Sequence, residues 1–253
     1  MRGKTAEEDD FLAARAADAV RLAASGGRPR FVGFLNETEA RRAQAFAARE
    51  ARAHVLFWGG WPQAERVMLG AFPGFLEPAE ESFPVSALTL AFRRQDSLTH
   101  RDILGALLHA GLERASLGDI LTEAGRAVVF CRSEVSGFLC TQVEKIGGVG
   151  VKITEGAREP FPAAHRFADF SSVVASARLD CLVAAVGKTS REKAAGMIRS
   201  QLVERNHEPA LSPSEPVREG DVLSVRGEGR FLVSRLGPQT KKGRLAVSWK
   251  KYI

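Results

Sequence analysis

Apolar positions recur at helical spacing near the start of the chain and predict an amphipathic helix from Glu7 to Ala24. The apolar stripe consists of Leu12, Ala16, Ala19, Val20 and Ala23. Gly26, Gly27 and Pro29 end the pattern.

A second helix is predicted from Glu37 to Arg52, with Asn36 or Thr38 as its N-cap. Two apolar runs, Ala53–Trp58 and Arg66–Ala71, follow it and predict short strands. Residues 1–76 are therefore expected to form a small α/β module.

Residues 77–157 alternate between strand and helix patterns. The predicted strands are Val85–Phe92, Asp119–Leu121, Ala127–Cys131 and Val149–Ile153, and the predicted helices are Arg101–Ala110, capped by Thr99, and Ser133–Val143. The resulting order β-α-β-β-α-β is the split βαβ arrangement of ferredoxin-like and RRM-like domains. Such sheets bind RNA through several exposed rings, whereas here Phe130 stands alone, so we expect it to pack in the core.

Residues 158–176 are rich in proline and phenylalanine and are expected to be a connector before a last module at 177–253, which ends in a basic tail. In that module an apolar pattern predicts a short helix, and Thr189 to Glu192 matches a capping box that would open a second helix. A small strand from Val203, a turn at Asn206 and a strand Val222–Val225 are predicted next. The expected fold class is α+β.

The basic excess lies entirely in the last module. Residues 178–253 contain 15 Lys and Arg against 8 Asp and Glu, whereas residues 1–177 contain 21 against 22. A concentrated positive surface favours a polyanion, because each neutralised phosphate releases counterions, although such charge can also serve only solubility.

The composition gives no support for a metal site, a cofactor site or a membrane-spanning segment. Cys131, Cys140 and Cys181 show no Cys-x-x-Cys spacing, and the five His residues form no local metal-binding pair. No apolar run is long enough to span a bilayer, and the first ten residues show no secretory signal pattern. We expect a cytoplasmic monomer that needs no cofactor.

The segment from residue 178 to residue 231 resembles the S-four RNA-binding domain. The resemblance is carried by Arg178-Leu179-Asp180, by Thr189 to Ala194, by Val203 to Asn206 and by Glu219 to Phe231. Basic residues beside a helix N-terminus add to its partial positive charge and make a phosphate site. We therefore expect RNA contacts at Arg178, Ser190, Arg191, Lys193, Arg199, Gln201, Asn206, Arg226, Arg230, Lys241 and Lys242. Asp180 is expected to form an ion pair at the helix start.

Over most of its length the chain resembles the YlmH-type RNA-binding proteins. The matching residues are Gly59 to Arg66, Leu104 to Leu108, Gly111 to Arg114, Leu117 to Leu121 and Thr240 to Lys242. The resemblance implies a non-catalytic protein that binds rRNA and tRNA on the large ribosomal subunit. It also implies a role in the quality control of stalled nascent chains, with other quality-control factors as further partners.

Two other functions are considered. Pseudouridine synthases also carry an S-four domain and use the Asp of an Arg-Leu-Asp segment, but here Arg178-Leu179-Asp180 lies inside the RNA-binding module, with no room for a catalytic domain after it. An adaptor linked to cell division is the second alternative, and it would keep its partner when the cations at 178, 191 and 193 are removed.

Overall fold

The computed structural model of the protein describes residues 2–48, 53–164, 167–239 and 243–253. The chain divides into two compact units, Met1–Ala164 and His165–Ile253. Both modules predicted for residues 1–157 lie in the first unit, and the predicted RNA-binding domain lies in the second. The finer boundaries remain predictions. The described chain mixes helices with antiparallel sheets, in agreement with the expected fold class.

A three-stranded antiparallel sheet and its helices begin the first unit. The elements are α1 (Arg2–Gly26), β1 (Arg30–Leu35), α2 (Glu37–Ala47), β2 (Ala53–Trp58) and β3 (Val67–Pro73), in the sheet order β1-β3-β2. The predicted stripe of α1 is confirmed, because Ala16, Val20 and Ala23 are fully buried. Asn36 caps α2 and forms a capping box with Glu39. The end of the predicted second helix, residues 49–52, lies outside the described residues.

Strand β1 was not predicted from the sequence. Its partner is distant in the chain, since Val32 lies opposite Leu69, and Gly33 interrupts its apolar pattern. A Cβ added at Gly33 would lie 2.6 Å from the carbonyl oxygen of Ala115. The glycine therefore permits a close approach of two backbones, which a local pattern cannot reveal.

The second part of this unit follows the predicted order of strands and helices. Its elements are β4 (Val85–Ala91), α3 (His100–His109), β5 (Leu117–Glu123), β6 (Arg126–Arg132), α4 (Ser133–Gln142), β7 (Lys145–Ile146), β8 (Val149–Gly150) and β9 (Lys152–Glu155). The antiparallel sheet has the order β5-β6-β4-β9. Ile103 and Leu107 of α3 and Leu139 of α4 pack in one core with Val129 of the sheet. Thr99 caps α3 as predicted.

The closing strand predicted at Val149–Ile153 had the wrong boundaries. Residues 145–146 and 149–150 pair as a separate small hairpin, and the strand that joins the sheet is β9, which pairs with β4. Gly147 in the hairpin turn has a φ of 57°. This left-handed conformation suits glycine in the tight turn. The predicted run is divided at Val151, whose backbone N donates to the carbonyl oxygen of Glu144 (2.9 Å) and not to a neighbouring strand of the sheet.

The other face of the four-stranded sheet is buried within the same unit. Phe130 has no exposed surface and stacks on Trp61, with 6.2 Å between the ring centroids. Phe161 meets both rings edge-on. The expected packing role of Phe130 is thus confirmed, and its ring is not available to a nucleobase.

Asp119 joins the two parts of the first unit. Its carboxylate accepts hydrogen bonds from the indole Nε1 of Trp61 (2.9 Å), the backbone N of Glu65 (2.9 Å) and the backbone N of Arg66 (3.0 Å). Burial raises the pKa of Asp119, against the opposing effect of these three hydrogen bonds. The loop between β2 and β3 is thereby tied to β5.

Two arginines complete this junction by donating to carbonyl oxygens. Arg66 donates to Leu117 (3.0 Å) and Phe34 (2.7 Å), and Arg114 donates to Leu117 (2.6 Å). Burial, together with the neighbouring Arg114, lowers the pKa of Arg66 to about 10. These residues belong to the segments that carry the family resemblance, and here they hold the fold together.

The second unit is a six-stranded antiparallel sheet with helices on one face. Its elements are β10 (Phe167–Val174), α5 (Leu179–Val186), α6 (Arg191–Arg199), β11 (Val203–Arg205), β12 (Glu208–Pro209), β13 (Val222–Val225), β14 (Gly229–Gln239) and β15 (Leu245–Tyr252). The sheet order is β10-β15-β14-β13-β11-β12. Leu182 of α5 and Ile198 of α6 pack against Val247 and Trp249 in its core.

Two features of this sheet correct the sequence analysis. The predicted connector at 158–176 contains β10, which pairs along its whole length with β15. The predicted basic tail is instead the long hairpin of β14 and β15, and Trp249 in it is only 6% exposed. Among the described residues, no helix has the length and apolar character required to cross a membrane.

We expect Asp119→Ala to destabilise the first unit by about 2 to 4 kcal/mol, because three donors, among them the buried indole of Trp61, lose their acceptor. Urea denaturation followed by tryptophan fluorescence measures this change, since Trp61 adjoins the site. The exposed Asp18, paired only with Arg21, is the control, and Asp18→Ala should change the free energy of unfolding by less than about 0.5 kcal/mol. Equal effects of the two substitutions would contradict the role given to Asp119.

Candidate functional site

The helices α5 and α6 are joined by a tight turn of four residues. Lys188 in this turn has a φ of 47°, and the backbone N of Thr189 donates to the carbonyl oxygen of Ala184 (2.9 Å). Thr189 therefore closes the end of α5. The turn places the first residues of α6 close to those of α5.

The cap of α6 is shifted by one residue from the predicted position. Ser190, not Thr189, is the N-cap, and its hydroxyl accepts from the backbone N of Lys193 at 3.1 Å. The predicted reciprocal bond from Glu192 is wrong, because that residue lies one position too early in the helix to reach the N-cap backbone. Thr189 is already engaged in the preceding turn.

A buried carboxylate holds two arginines beside this helix start. Asp180 is 5% exposed and accepts from Nε and Nη2 of Arg178 at 3.2 and 3.1 Å, and from Nη2 of Arg191 at 2.8 Å. The predicted ion pair at Asp180 is confirmed, and Arg191 is a second partner that the sequence analysis did not assign to it. The arginine residues approach from two different helix ends and share one acceptor.

The charges at this cluster reinforce each other. Burial by itself would raise the pKa of Asp180, but the hydrogen bonds from Arg178 and Arg191 outweigh it and hold that pKa well below its usual range. The same hydrogen bonds to Asp180 raise the pKa values of both arginines. At neutral pH the cluster therefore holds one negative and two positive charges.

Both arginines remain accessible while they are held in place. The side chain of Arg178 is 42% exposed and that of Arg191 is 54% exposed, in contrast to 7% for Asp180. Lys193 is exposed in the same first turn of α6. The free N–H groups of a helix start carry partial positive charge, so this surface is suited to an anion such as a phosphate. We call Arg178, Arg191 and Lys193 the helix surface.

Three other candidates lie at the opposite end of α6. Arg199 is in its last turn, about 12 Å along the helix axis from Arg191. Gln201 follows with a φ of 57°, and the backbone N of Arg226 donates to Leu202 at 2.9 Å. Arg199, Gln201 and Arg226 are exposed, and they form a group distinct from the helix surface.

Asn206 has a structural role in the fold. Its amide Nδ2 donates to Asp221 (2.8 Å), and its Oδ1 accepts from the backbone N of Val222 (2.8 Å). The side chain therefore joins the turn after β11 to the start of β13. An RNA contact at Asn206 remains a prediction.

The remaining candidates lie elsewhere. Arg230 lies on β14, with its guanidinium carbon 4.6 Å from the centre of the Tyr252 ring. Lys241 and Lys242 lie outside the described residues. Lys188, an exposed cation in the turn that precedes α6, was not among the predicted site residues. Its position between two predicted helices could have identified it.

The site has the chemistry of anion binding. Within the described ranges, no group of three or more His, Cys, Asp or Glu residues could hold a metal ion. Burial raises the pKa of Cys131 to about 12, so this thiol is not a reactive nucleophile near neutral pH. The accessible groups at the helix surface are cationic hydrogen-bond donors.

The comparisons with known proteins agree with this geometry. Residues 78–159 match the family described as "Putative RNA-binding domain in YlmH", and residues 177–223 match the S4 domain, the S-four domain named above. A relative from Bacillus subtilis (strain 168), named "Ribosome-associated protein quality control protein P2", is 28% identical over 204 residues, 80% of this chain and 79% of the relative. The structure named "Cell division protein ylmH from Streptococcus pneumoniae" is similar in fold over 59% of this chain and 92% of that chain, with a TM-score of 0.52 and 22% identity.

Asp180 should make the second unit sensitive to acid. Its folded pKa is depressed, so its ion pairs stabilise the fold above the ordinary aspartate pKa of about 3.9, and this stabilisation is lost as the pH falls further. We expect Asp180→Asn to weaken the protection of the backbone amides of α5 and α6 from hydrogen exchange at pH 7. The further loss of this protection below about pH 4 should be smaller in the variant than in the original chain. Hydrogen exchange, corrected for the intrinsic effect of pH, measures both changes.

The control is Asp169→Asn, which changes an exposed carboxylate on β10 of the same unit. It should leave the protection of α5 and α6 unchanged at pH 7. If Asp180→Asn retained the full acid sensitivity of the original chain, the two arginine contacts would not be its cause.

Proposed function

We propose that this chain, which belongs to the YlmH-type proteins and carries a C-terminal S-four domain, is a ribosome-associated RNA-binding protein. The main support is the pair of arginines that Asp180 holds at the start of α6. Their geometry is set by a buried acceptor before any ligand arrives, so less side-chain entropy is lost when a phosphate binds. The name of the Bacillus subtilis relative supports the ribosomal context.

The finer proposal is that the chain binds rRNA and tRNA on the large ribosomal subunit during quality control of stalled nascent chains. We place it in the cytoplasm as a monomer, with quality-control factors as further partners. The basic excess of residues 178–253 supports a large polyanionic partner. Arg199, Gln201 and Arg226 would extend the contact along structured RNA beyond the helix surface.

We further propose that residues 77–157 form an RRM-like module with a positioning role. Its sheet order, in which β6 and β4 are central, supports this classification. Phe130 is buried against Trp61, so this sheet face would not bind RNA by base stacking. The polar junction at Asp119 would instead keep the first unit rigid.

Absence of catalysis is the third part of the proposal. In the alternative of a pseudouridine synthase, the Asp of the Arg-Leu-Asp segment would have to reach the target nucleotide. Asp180 is buried and both of its carboxylate oxygens accept from arginine. A carboxylate in this position supports a structural function, and a turnover assay on ribosomal RNA would detect any modification.

Substituting the helix surface should abolish ribosome association. We expect the variant with Arg178→Ala, Arg191→Ala and Lys193→Ala to leave the ribosomal fractions of a sucrose gradient. For purified RNA, the slope of log affinity against log salt should become shallower by about 0.7 to 0.9 for each lost phosphate contact. Lys193→Ala alone tests the surface without disturbing Asp180.

The charge-matched control for Lys193→Ala is Arg21→Ala, on the exposed face of α1. It should retain both the cofractionation and the salt slope. A cell-division adaptor, by contrast, would keep its partner in the triple variant. An unchanged salt slope in a folded triple variant would reject the helix surface as the RNA site.

A further inference from the structure

The sheet of the second unit has a second face, opposite the one that packs against α5 and α6. Directly opposed residues in an antiparallel pair point to the same face. Phe167 lies opposite Tyr252, and Val173 lies opposite Ala246. The core residue Trp249 alternates with these positions and points to the helices. The face with Phe167 and Tyr252 is therefore the outer face.

Rings and cations lie together at one end of this outer face. The rings of Phe167 and Tyr252 meet edge-on, with 4.9 Å between their centroids. The guanidinium carbon of Arg230 is 4.6 Å from the Tyr252 centroid, and Nζ of Lys250 is 5.6 Å from the Phe167 centroid. We call Phe167, Arg230, Lys250 and Tyr252 the outer patch.

The outer patch is partly exposed and its charge is not neutralised. Phe167 is 36% exposed. Within the described part of the chain, Arg230 and Lys250 make no ion pair with a carboxylate, although Asp169 lies opposite Lys250 in the strand register. The Nε of Arg230 is buried and has no hydrogen-bond partner among the described residues, while its guanidinium carbon lies over the Tyr252 ring.

The chemistry of single-stranded nucleic acid fits the outer patch. Its flat aromatic bases match the rings, and its negatively charged phosphates, a short distance from the bases, match the cations. Bases stack on aromatic side chains and on guanidinium planes, while cations beside them contact the backbone phosphates. A protein partner would use the apolar surface but would not require both cations. The net charge of residues 178–253, with 15 basic and 8 acidic residues, also favours a polyanion.

We propose that the outer patch is a second RNA site, which binds an unpaired nucleotide by stacking while the helix surface binds phosphates of structured RNA. This inference rests on the proposed RNA-binding function and adds a ligand class to it. The two sites lie on opposite sides of one sheet. The second unit would therefore contact two segments of RNA, one folded and one single-stranded.

The sequence contains one tyrosine, which gives the outer patch its own reporter. In the full chain labelled with 3-fluorotyrosine, Tyr252 produces a single fluorine resonance. We expect this resonance to shift in a saturable manner on addition of a ten-nucleotide oligouridine. An RNA duplex of the same length should shift it much less, because its bases are already stacked. A resonance that does not respond to oligouridine would overturn the proposal.

A substitution on β10 tests the stacking contribution. Phe167→Ala should weaken oligouridine binding at least about fivefold, the lower end of what one stacked base contributes. Val173→Ala is the matched control, because Val173 lies on the same face of the same strand and is 40% exposed. It should bind like the original chain. Equal affinity of the two variants, both with unchanged circular dichroism, would reject the outer patch.

The helix-surface triple variant separates this inference from the proposed function. If it loses ribosomes but retains the Tyr252 shift with oligouridine, both proposals are supported. If ribosome binding depends on the helix surface but oligouridine binding is insensitive to Phe167→Ala, only the second site is rejected. If the original chain binds neither ribosomes nor any RNA, both proposals fail. Binding of a protein at the outer patch without any response to oligouridine also rejects the second site.

Discussion

The cationic surface of the second unit depends on the buried carboxylate of Asp180. Two guanidinium groups repel each other, and two long side chains lose entropy when they are held in one place. The carboxylate of Asp180 offsets both unfavourable contributions. It is buried away from water, so both of its oxygens need hydrogen-bond donors, and the two arginines supply them. Its burial between the starts of α5 and α6 thus determines where Arg178 and Arg191 lie.

Asp119 shows the same physical principle with a different consequence. It too is a buried carboxylate with several donors, but those donors are a backbone segment and the Trp61 indole. The nearby Arg66 and Arg114 point to carbonyl oxygens within the fold. Asp119 therefore makes a rigid junction, whereas Asp180, whose partners are half-exposed cations, leaves an accessible cationic surface. The difference lies in what remains accessible after the carboxylate is satisfied.

Patterns that depend on neighbouring residues were recognised from the sequence with few errors. The expected spacing of apolar residues is found in the helices α1, α3 and α5 and in the strands β2 and β13. A helix buries a stripe of apolar residues three or four positions apart, and a strand buries every second residue, so both patterns can be read from nearby positions. The strands β1, β10, β14 and β15 were missed or taken for loops and tail. Each is stabilised by a partner distant in the chain, and no local pattern specifies that partner.

The sequence by itself determined the basic character of the last module, the kind of domain it resembles and the identity of the cations at the helix start. These follow from composition and from short, local motifs. Only the tertiary structure decided that Arg191 shares Asp180 with Arg178, that Asn206 ties two turns together, and that Phe167 lies beside Tyr252. The physical reason is that burial and strand pairing bring together residues that are far apart in the chain, and neither is encoded at any one position.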